Sequence, residues 1–124
     1  MPKDSSRKIL IVDDNKDLRH IYSRYLTGEG FEIFEAQNGE EALLNFRDKK
    51  IDLILLDIRM PIANGQVLIP ALRQFYPQAK IIISSCYDET VQKEMIVGAT
   101  DYFNKSEGYR KLLPKINAVF NSKN

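Results

Sequence analysis

The chain has 124 residues, with 18 Lys or Arg against 17 Asp or Glu, and a formal net charge of +1 at pH 7. This length suits one domain, and the balanced charge gives no electrostatic basis for binding nucleic acid or an acidic membrane. No apolar stretch approaches the ~18 residues of a membrane span, and the polar first six residues lack a signal-peptide core. The single cysteine, Cys86, excludes an internal disulfide and favours a reducing, cytoplasmic setting; we interpret it as a small buried hydrophobe.

Five short apolar runs predict β-strands. Two of them, residues 9–12 and 81–83, are continuously apolar, which is typical of central parallel strands covered by helices on both faces. The predicted strands are Lys8–Val12, Phe31–Ala36, Ile51–Leu56, Lys80–Ser84 and Thr100–Phe103.

Apolar residues at helical spacing follow each strand. The first helix has Gly28 as a plausible C-cap, and the second, about 38–48, has Asn38 as its N-cap. The remaining helices are expected at about 65–75, 88–97 and 108–120, the fourth ending at Gly98.

Pro70 and Pro114 fall inside the third and fifth predicted helices. A proline in a helix interior removes a backbone hydrogen bond and costs ~3 kcal/mol. Either these helices start late, with the prolines near their first turns, or both are kinked, and the sequence leaves the two possibilities open.

The alternation of strands and helices predicts an α/β fold with right-handed crossovers. By analogy we expect a flavodoxin-like, doubly wound parallel sheet of five strands in the order 2-1-3-4-5, with five helices. Asp13 and Asp14 follow the first strand and Asp57 follows the third, so this order places all three carboxylates at one sheet edge. Such a cluster is unfavourable without a cation, which indicates a metal-assisted phosphoryl site.

The polar residues at the strand ends resemble the receiver domain of two-component response regulators. The resemblance covers about residues 7–120, with 1–6 expected to be a disordered lead and 121–124 a frayed C-terminus. The residues that carry it are Asp13-Asp14, Asp57-x-x-Met60-Pro61-x-x-x-Gly65, Ser85 and Lys105.

The resemblance implies that Asp57 accepts a phosphoryl group from the phosphohistidine of a sensor histidine kinase or a histidine phosphotransfer protein. It also implies a Mg²⁺ (or Mn²⁺) ion. Asp14 would bind this ion directly, Asp13 mostly through water, Asp57 as the acceptor and Arg59 through its backbone carbonyl.

Lys105 and the Ser85 hydroxyl would contact phosphoryl oxygens, although Ser84 could take the place of Ser85. Tyr102 falls at the position of the aromatic switch residue, which implies signalling through the face made by helix four, strand five and helix five. Ser106 stands where most receivers carry a proline, so we expect the loop after strand five to differ.

Arg59 and Tyr87 lie two residues past Asp57 and Ser85, positions that flank the approach of water to the phosphoryl group in receivers. Both side chains are large, and neither offers an acid or amide to orient the attacking water. We therefore expect slow self-dephosphorylation.

Three functions remain open at this stage: a stand-alone phosphoacceptor module, the N-terminal receiver of a larger regulator, or a haloacid-dehalogenase-like phosphatase. The phosphatase needs a second Asp two residues after the nucleophile, where this chain has Arg59. We therefore expect a receiver that catalyses only its own phosphorylation and dephosphorylation, without direct contact to nucleic acid or membrane. The sequence names neither its kinase nor its target.

Overall fold

The computed structural model describes residues 6–58 and 61–121, and of residues 61–66 and 95 it describes the backbone alone. Five parallel strands form one sheet in the order β2-β1-β3-β4-β5. This confirms the predicted fold and strand order. The strands are β1 (Lys8–Val12), β2 (Glu32–Ala36), β3 (Leu53–Asp57), β4 (Lys80–Ser85) and β5 (Asp101–Asn104).

Helices cover both faces of the sheet. Two short 3₁₀ turns, Lys105–Glu107 and Tyr109–Lys111, connect β5 to the last helix. The α-helices are α1 (Lys16–Gly28), α2 (Gly39–Leu44), α3 (Pro61–Phe75), α4 (Glu89–Met95) and α5 (Leu112–Asn121). No helix in the described ranges is long and apolar enough to cross a bilayer.

The core has two halves, one on each side of the sheet, because successive side chains of a strand point to opposite faces. Burying one such aliphatic side chain contributes about 1.5–3 kcal/mol. Leu10, Ile54 and Ile81 face α2 and α3, whereas Ile9, Leu53 and Ile82 face α1 and α5, and all six are fully buried.

The expected C-cap at Gly28 is wrong, because α1 includes that residue and the chain reverses two residues later. Gly30 has φ +101, a conformation that a residue without Cβ adopts readily. The Phe31 N–H donates to the Leu26 carbonyl at 3.2 Å and the Gly30 N–H to the Thr27 carbonyl at 3.1 Å, which is a Schellman motif. The turn places β2 directly after α1.

Helices α2 and α4 are shorter than predicted. The Asn38 carboxamide accepts from the Glu41 N–H at 2.9 Å, as expected of an N-cap, but α2 ends at Leu44. The next residues, Asn-Phe-Arg-Asp, include three with modest helix propensity. α4 ends at Met95 because the buried Ile96 is extended, with φ −131.

The two prolines have different explanations. Pro114 is the third residue of α5, since residues 109–111 form a 3₁₀ turn and the α-helix starts late. Pro70 lies well inside α3 on its exposed side, where water can hydrogen-bond the carbonyl that loses its partner.

The register of the sheet brings the strand ends together. Val12 pairs with Leu56, so the next residues, Asp13 and Asp57, emerge side by side. Ser85 pairs with Asn104, so Lys105 follows at the same edge. Residues 1–5, 59–60 and 122–124, which include Arg59 and most of both expected frayed ends, lie outside the described residues, whereas Asn121 is the last residue of α5.

Candidate functional site

Three carboxylates converge at the carboxyl edge of the sheet. One oxygen from each of Asp13, Asp14 and Asp57 lies within 4.8 Å of the others. Asp13 is buried, Asp14 is exposed and the Asp57 side chain is 6% exposed, so the cluster opens to solvent on one side. Carboxylate oxygens at this separation, with open positions for water, fit a hard divalent cation such as Mg²⁺.

Lys105 brings a cation into the cluster. Its Nζ lies 2.5 Å from Asp57 Oδ1 and 3.4 Å from Asp13 Oδ2, and its side chain is 14% exposed. The ammonium thus contacts two of the three acids.

The site opposes ionisation of Asp57. Burial raises the pKa of the Asp57 carboxyl, the hydrogen bond from Lys105 lowers it, and the Asp13 charge raises it again, so that the net direction is upward. Burial by itself lowers the pKa of Lys105, but the hydrogen bond and charge of Asp57, together with Asp13, raise it above its ordinary value. The folded site therefore favours the charged form of Lys105. It disfavours the charged form of Asp57, and additional positive charge would reduce this penalty.

The end of β4 places the two serines in different surroundings. The strand runs to Ser85, one residue further than predicted, so the expected boundary at Ser84 is wrong. Ser85 nevertheless lines the opening with Asp57 and Lys105, and its Oγ accepts from the Tyr87 N–H at 3.3 Å. Ser84 Oγ points into the core beside the Tyr22 hydroxyl, without a well-formed hydrogen bond among the described residues. The geometry favours Ser85 as the hydroxyl of the site.

One buried amide, Gln92, connects α4 to both neighbouring segments, and no sequence pattern predicts this role. Its Nε2 donates to the carbonyls of Tyr87 at 2.7 Å and Phe103 at 2.8 Å. Tyr102 makes a second link, because its hydroxyl donates to the Ile96 carbonyl at 2.5 Å and its side chain is 7% exposed. The segments that carry Ser85 and Lys105 are thus fastened to α4.

The loop at Ser106 is a compact turn. Every peptide bond of the described ranges is trans. Asn104 Oδ1 accepts from the Ser106 N–H at 3.0 Å and from the Ser106 hydroxyl at 2.7 Å. The Asn104 carboxamide therefore caps the 3₁₀ turn that begins at Lys105. This turn holds Lys105 where its ammonium contacts Asp13 and Asp57.

Of the other singled-out residues, Tyr87 lines the opening and is 43% exposed. Cys86 is also exposed there, so its interpretation as a buried hydrophobe is wrong: it follows the last residue of β4 and has left the core. The His20 side chain is 52% exposed, so this histidine lies at the surface.

Comparison with known proteins agrees with this geometry. Residues 9–117 match the profile of the response regulator receiver domain. The chain belongs to this family. This receiver domain is 38% identical over 115 residues to the transcriptional regulatory protein CpxR of Escherichia coli, covering 90% of the chain but 48% of CpxR. It therefore spans about half the length of such curated relatives.

Solved structures show the same fold. A two-component response regulator from Clostridium difficile aligns with a TM-score of 0.82 at 28% identity, covering 96% of this receiver domain and 99% of that chain. The CheX-CheY-BeF3-Mg²⁺ complex from Borrelia burgdorferi aligns with a TM-score of 0.79 at 30% identity, covering 94% and 90% respectively.

Proposed function

We propose that Asp57 is the phosphoacceptor of this receiver domain and that Asp13, Asp14 and Asp57 hold a Mg²⁺ ion. The observation that carries the proposal is the 2.5 Å contact between Asp57 and Lys105 beside two further acids at an open sheet edge. The Mg²⁺ named for the 30% identical CheX-CheY-BeF3 complex supports the choice of ion. When bound, this ion would neutralise charge on phosphoryl oxygens and on the acids.

The reaction follows from these positions. An Asp57 carboxylate oxygen attacks phosphorus, its new O–P bond forms as the P–N bond of a phosphohistidine breaks, and the imidazole leaves. Such a transfer depends mainly on position and charge neutralisation. Lys105 is placed to hold one phosphoryl oxygen and the Ser85 hydroxyl to donate to another. The donor is a sensor histidine kinase or a histidine phosphotransfer protein, and the domain catalyses only its own phosphorylation and dephosphorylation.

The output face is α4, β5 and α5. Tyr102 connects β5 to the end of α4, and Lys115 of α5 pairs with Glu89 of α4 at 3.0 Å and Asp101 of β5 at 3.5 Å. Side-chain bonds thus connect the three elements of this face to each other. Gln92 also connects α4 to the segments that carry Ser85 and Lys105. A movement of Ser85 on phosphorylation can therefore alter the α4-β5-α5 face that a target binds.

Intact mass spectrometry after incubation with acetyl phosphate and Mg²⁺ tests the proposal. We expect one added phosphoryl group in the wild type and in Asp48→Ala, a control that removes an exposed carboxylate far from the sheet edge. Asp57→Ala should gain none. An Asp57→Ala protein that is phosphorylated as fully as the control, or a wild type that accepts no phosphoryl group from any donor, would overturn the assignment.

A further inference from the structure

We infer that Arg19 is a positioning residue of the metal site, acting through the backbone of Asp13 and held in place by Glu35. The inference deepens the proposed function and rests on its Mg²⁺ site.

The Arg19 guanidinium joins two strands. Its Nη1 donates to the backbone carbonyl of Asp13 at 2.6 Å, and its Nε donates to Glu35 Oε1 of β2 at 2.8 Å. The Arg19 side chain is 13% exposed and that of Glu35 30% exposed, so both bonds are partly shielded from water. Charge-assisted hydrogen bonds of this kind are stronger than neutral ones and fix direction.

The carbonyl that Arg19 holds belongs to the peptide joining Asp13 to Asp14. The Asp13 N–H already donates to the Ala36 carbonyl at 3.0 Å, and Asp13 Oδ1 accepts from the Asn15 N–H at 2.9 Å. These bonds fix the amide and the carboxylate of Asp13, and Arg19 fixes the carbonyl. Together these bonds set the direction in which the chain leaves β1, and this direction sets the position of the Asp14 carboxylate.

Glu35 also has an electrostatic role. An uncompensated guanidinium beside the acids would repel a divalent cation, and the Glu35 carboxylate offsets that charge. The pair therefore supplies hydrogen-bond donors to the site with little net positive charge. Residues behind metal ligands typically change metal affinity by about 10–100-fold when mutated, because they orient the ligands.

The chain offers a matched control at the other end of the same two strands. Lys8 of β1 and Glu32 of β2 face each other in the register, and their side chains form an ion pair at 3.3 Å. Removing Lys8 deletes a cation paired to a β2 glutamate, as removing Arg19 does, but far from the acid cluster.

The test is calorimetric titration with MgCl₂ of the folded wild type, Arg19→Met and Lys8→Met. We expect Arg19→Met to bind Mg²⁺ about tenfold more weakly, and Lys8→Met to stay within about twofold of the wild type. The acetyl phosphate reaction of Arg19→Met should recover its wild-type rate at saturating Mg²⁺, because Arg19 does not touch the reacting atoms. A rate that stays low at saturation, or unchanged Mg²⁺ affinity in Arg19→Met, would overturn the inference.

Glu35→Ala against Glu32→Ala provides a second pair should Arg19→Met fold poorly. Removal of Glu35 leaves the guanidinium with the Asp13 carbonyl as its partner and without a compensating carboxylate, so Mg²⁺ affinity should fall in Glu35→Ala and not in Glu32→Ala. Equal affinities in the two variants would contradict the role of Arg19 while leaving the metal site intact. Absence of Mg²⁺ binding in the wild type would instead overturn the proposed site, and this inference with it.

Discussion

Tyr22 places a phenol beneath the acid cluster, and its side chain is 2% exposed. Burial is the main cause that raises the pKa of Tyr22 to about 12, and the charges of Asp13 and Asp57 raise it further, while the Ser84 hydroxyl lowers it in part. The fold thus retains a proton that the unfolded chain loses near pH 10.

The sign of the pH dependence follows from this difference. A group with a raised pKa in the folded state contributes stability that is present below its unfolded pKa and is lost as pH rises through the folded pKa. Between about pH 10 and 12 the wild type should therefore lose roughly 3 kcal/mol through Tyr22, at ~1.4 kcal/mol per pH unit. Urea unfolding across this range should show a shallower decline for Tyr22→Phe than for the exposed control Tyr87→Phe. If the free energy of unfolding declined equally in both variants, Tyr22 would have the same pKa in the folded and unfolded states.

The lifetime of the phosphoryl group is a second prediction at the residue scale. Tyr87 lies at the opening, and its ring can restrict the in-line approach of water to the phosphorus; Arg59, its expected counterpart, lies outside the described residues. We expect faster decay of the phosphorylated protein in Arg59→Asn with Tyr87→Glu than in the wild type, measured in excess Mg²⁺. Loss of phosphate at the wild-type rate in the double variant would show that the two side chains do not shield the site.

At the scale of elements, α4 depends on Gln92. Both donors of its amide are used, one on the buried Phe103 carbonyl and one on the part-buried Tyr87 carbonyl, and its Oε1 has no partner among the described residues. The short helix therefore contributes a specific polar connection to β4 and β5 as well as apolar packing.

Gln92→Met keeps the side-chain volume and deletes both hydrogen bonds. We expect it to destabilise the fold by about 1–3 kcal/mol, the cost of leaving the buried Phe103 carbonyl without a donor, because the Tyr87 carbonyl lies closer to solvent. Chemical denaturation measures the effect, with Gln74→Met, an exposed change in α3, as the control near zero. A Gln92→Met protein as stable as Gln74→Met would mean that water or a neighbouring donor replaces the amide.

At the scale of the whole molecule, we expect the acid cluster to lower the stability of the metal-free fold. The raised pKa of Asp57, caused first by burial, means that the folded site disfavours its charge. We therefore expect Asp57→Asn to raise the metal-free melting temperature by a few degrees, even though the Lys105 ion pair is lost.

Added Mg²⁺ should stabilise the wild type more than Asp57→Asn. A ligand that binds the folded chain alone stabilises it by about 2.7 kcal/mol at a hundred times its Kd. Melting curves should show a larger Mg²⁺-dependent rise for the wild type than for Asp57→Asn, with KCl at equal ionic strength as the control. An identical response in both proteins would contradict the participation of Asp57 in the metal site.

The sequence by itself determined the fold class and the members of the acid cluster. Continuous apolar runs such as residues 81–83 are typical of strands buried between two layers of helices, and Asp13 and Asp57 each directly follow an apolar run. Since parallel strands share one carboxyl edge, the strand order was enough to bring Asp13, Asp14 and Asp57 together.

The tertiary structure decided the features that depend on contacts between distant segments. The end of α1 differs from the prediction because the chain turns where β2 requires it. This turn forms at Gly30 and not at Gly28. Ser85 was separated from Ser84 by the direction of its side chain at the last residue of β4. The Arg19–Glu35 and Gln92 connections join residues between 5 and 16 positions apart, and no local pattern marks them. Such bonds arise only after the sheet has placed their partners within reach, which is why hydrophobic periodicity predicts the scaffold but not the polar contacts that orient the site.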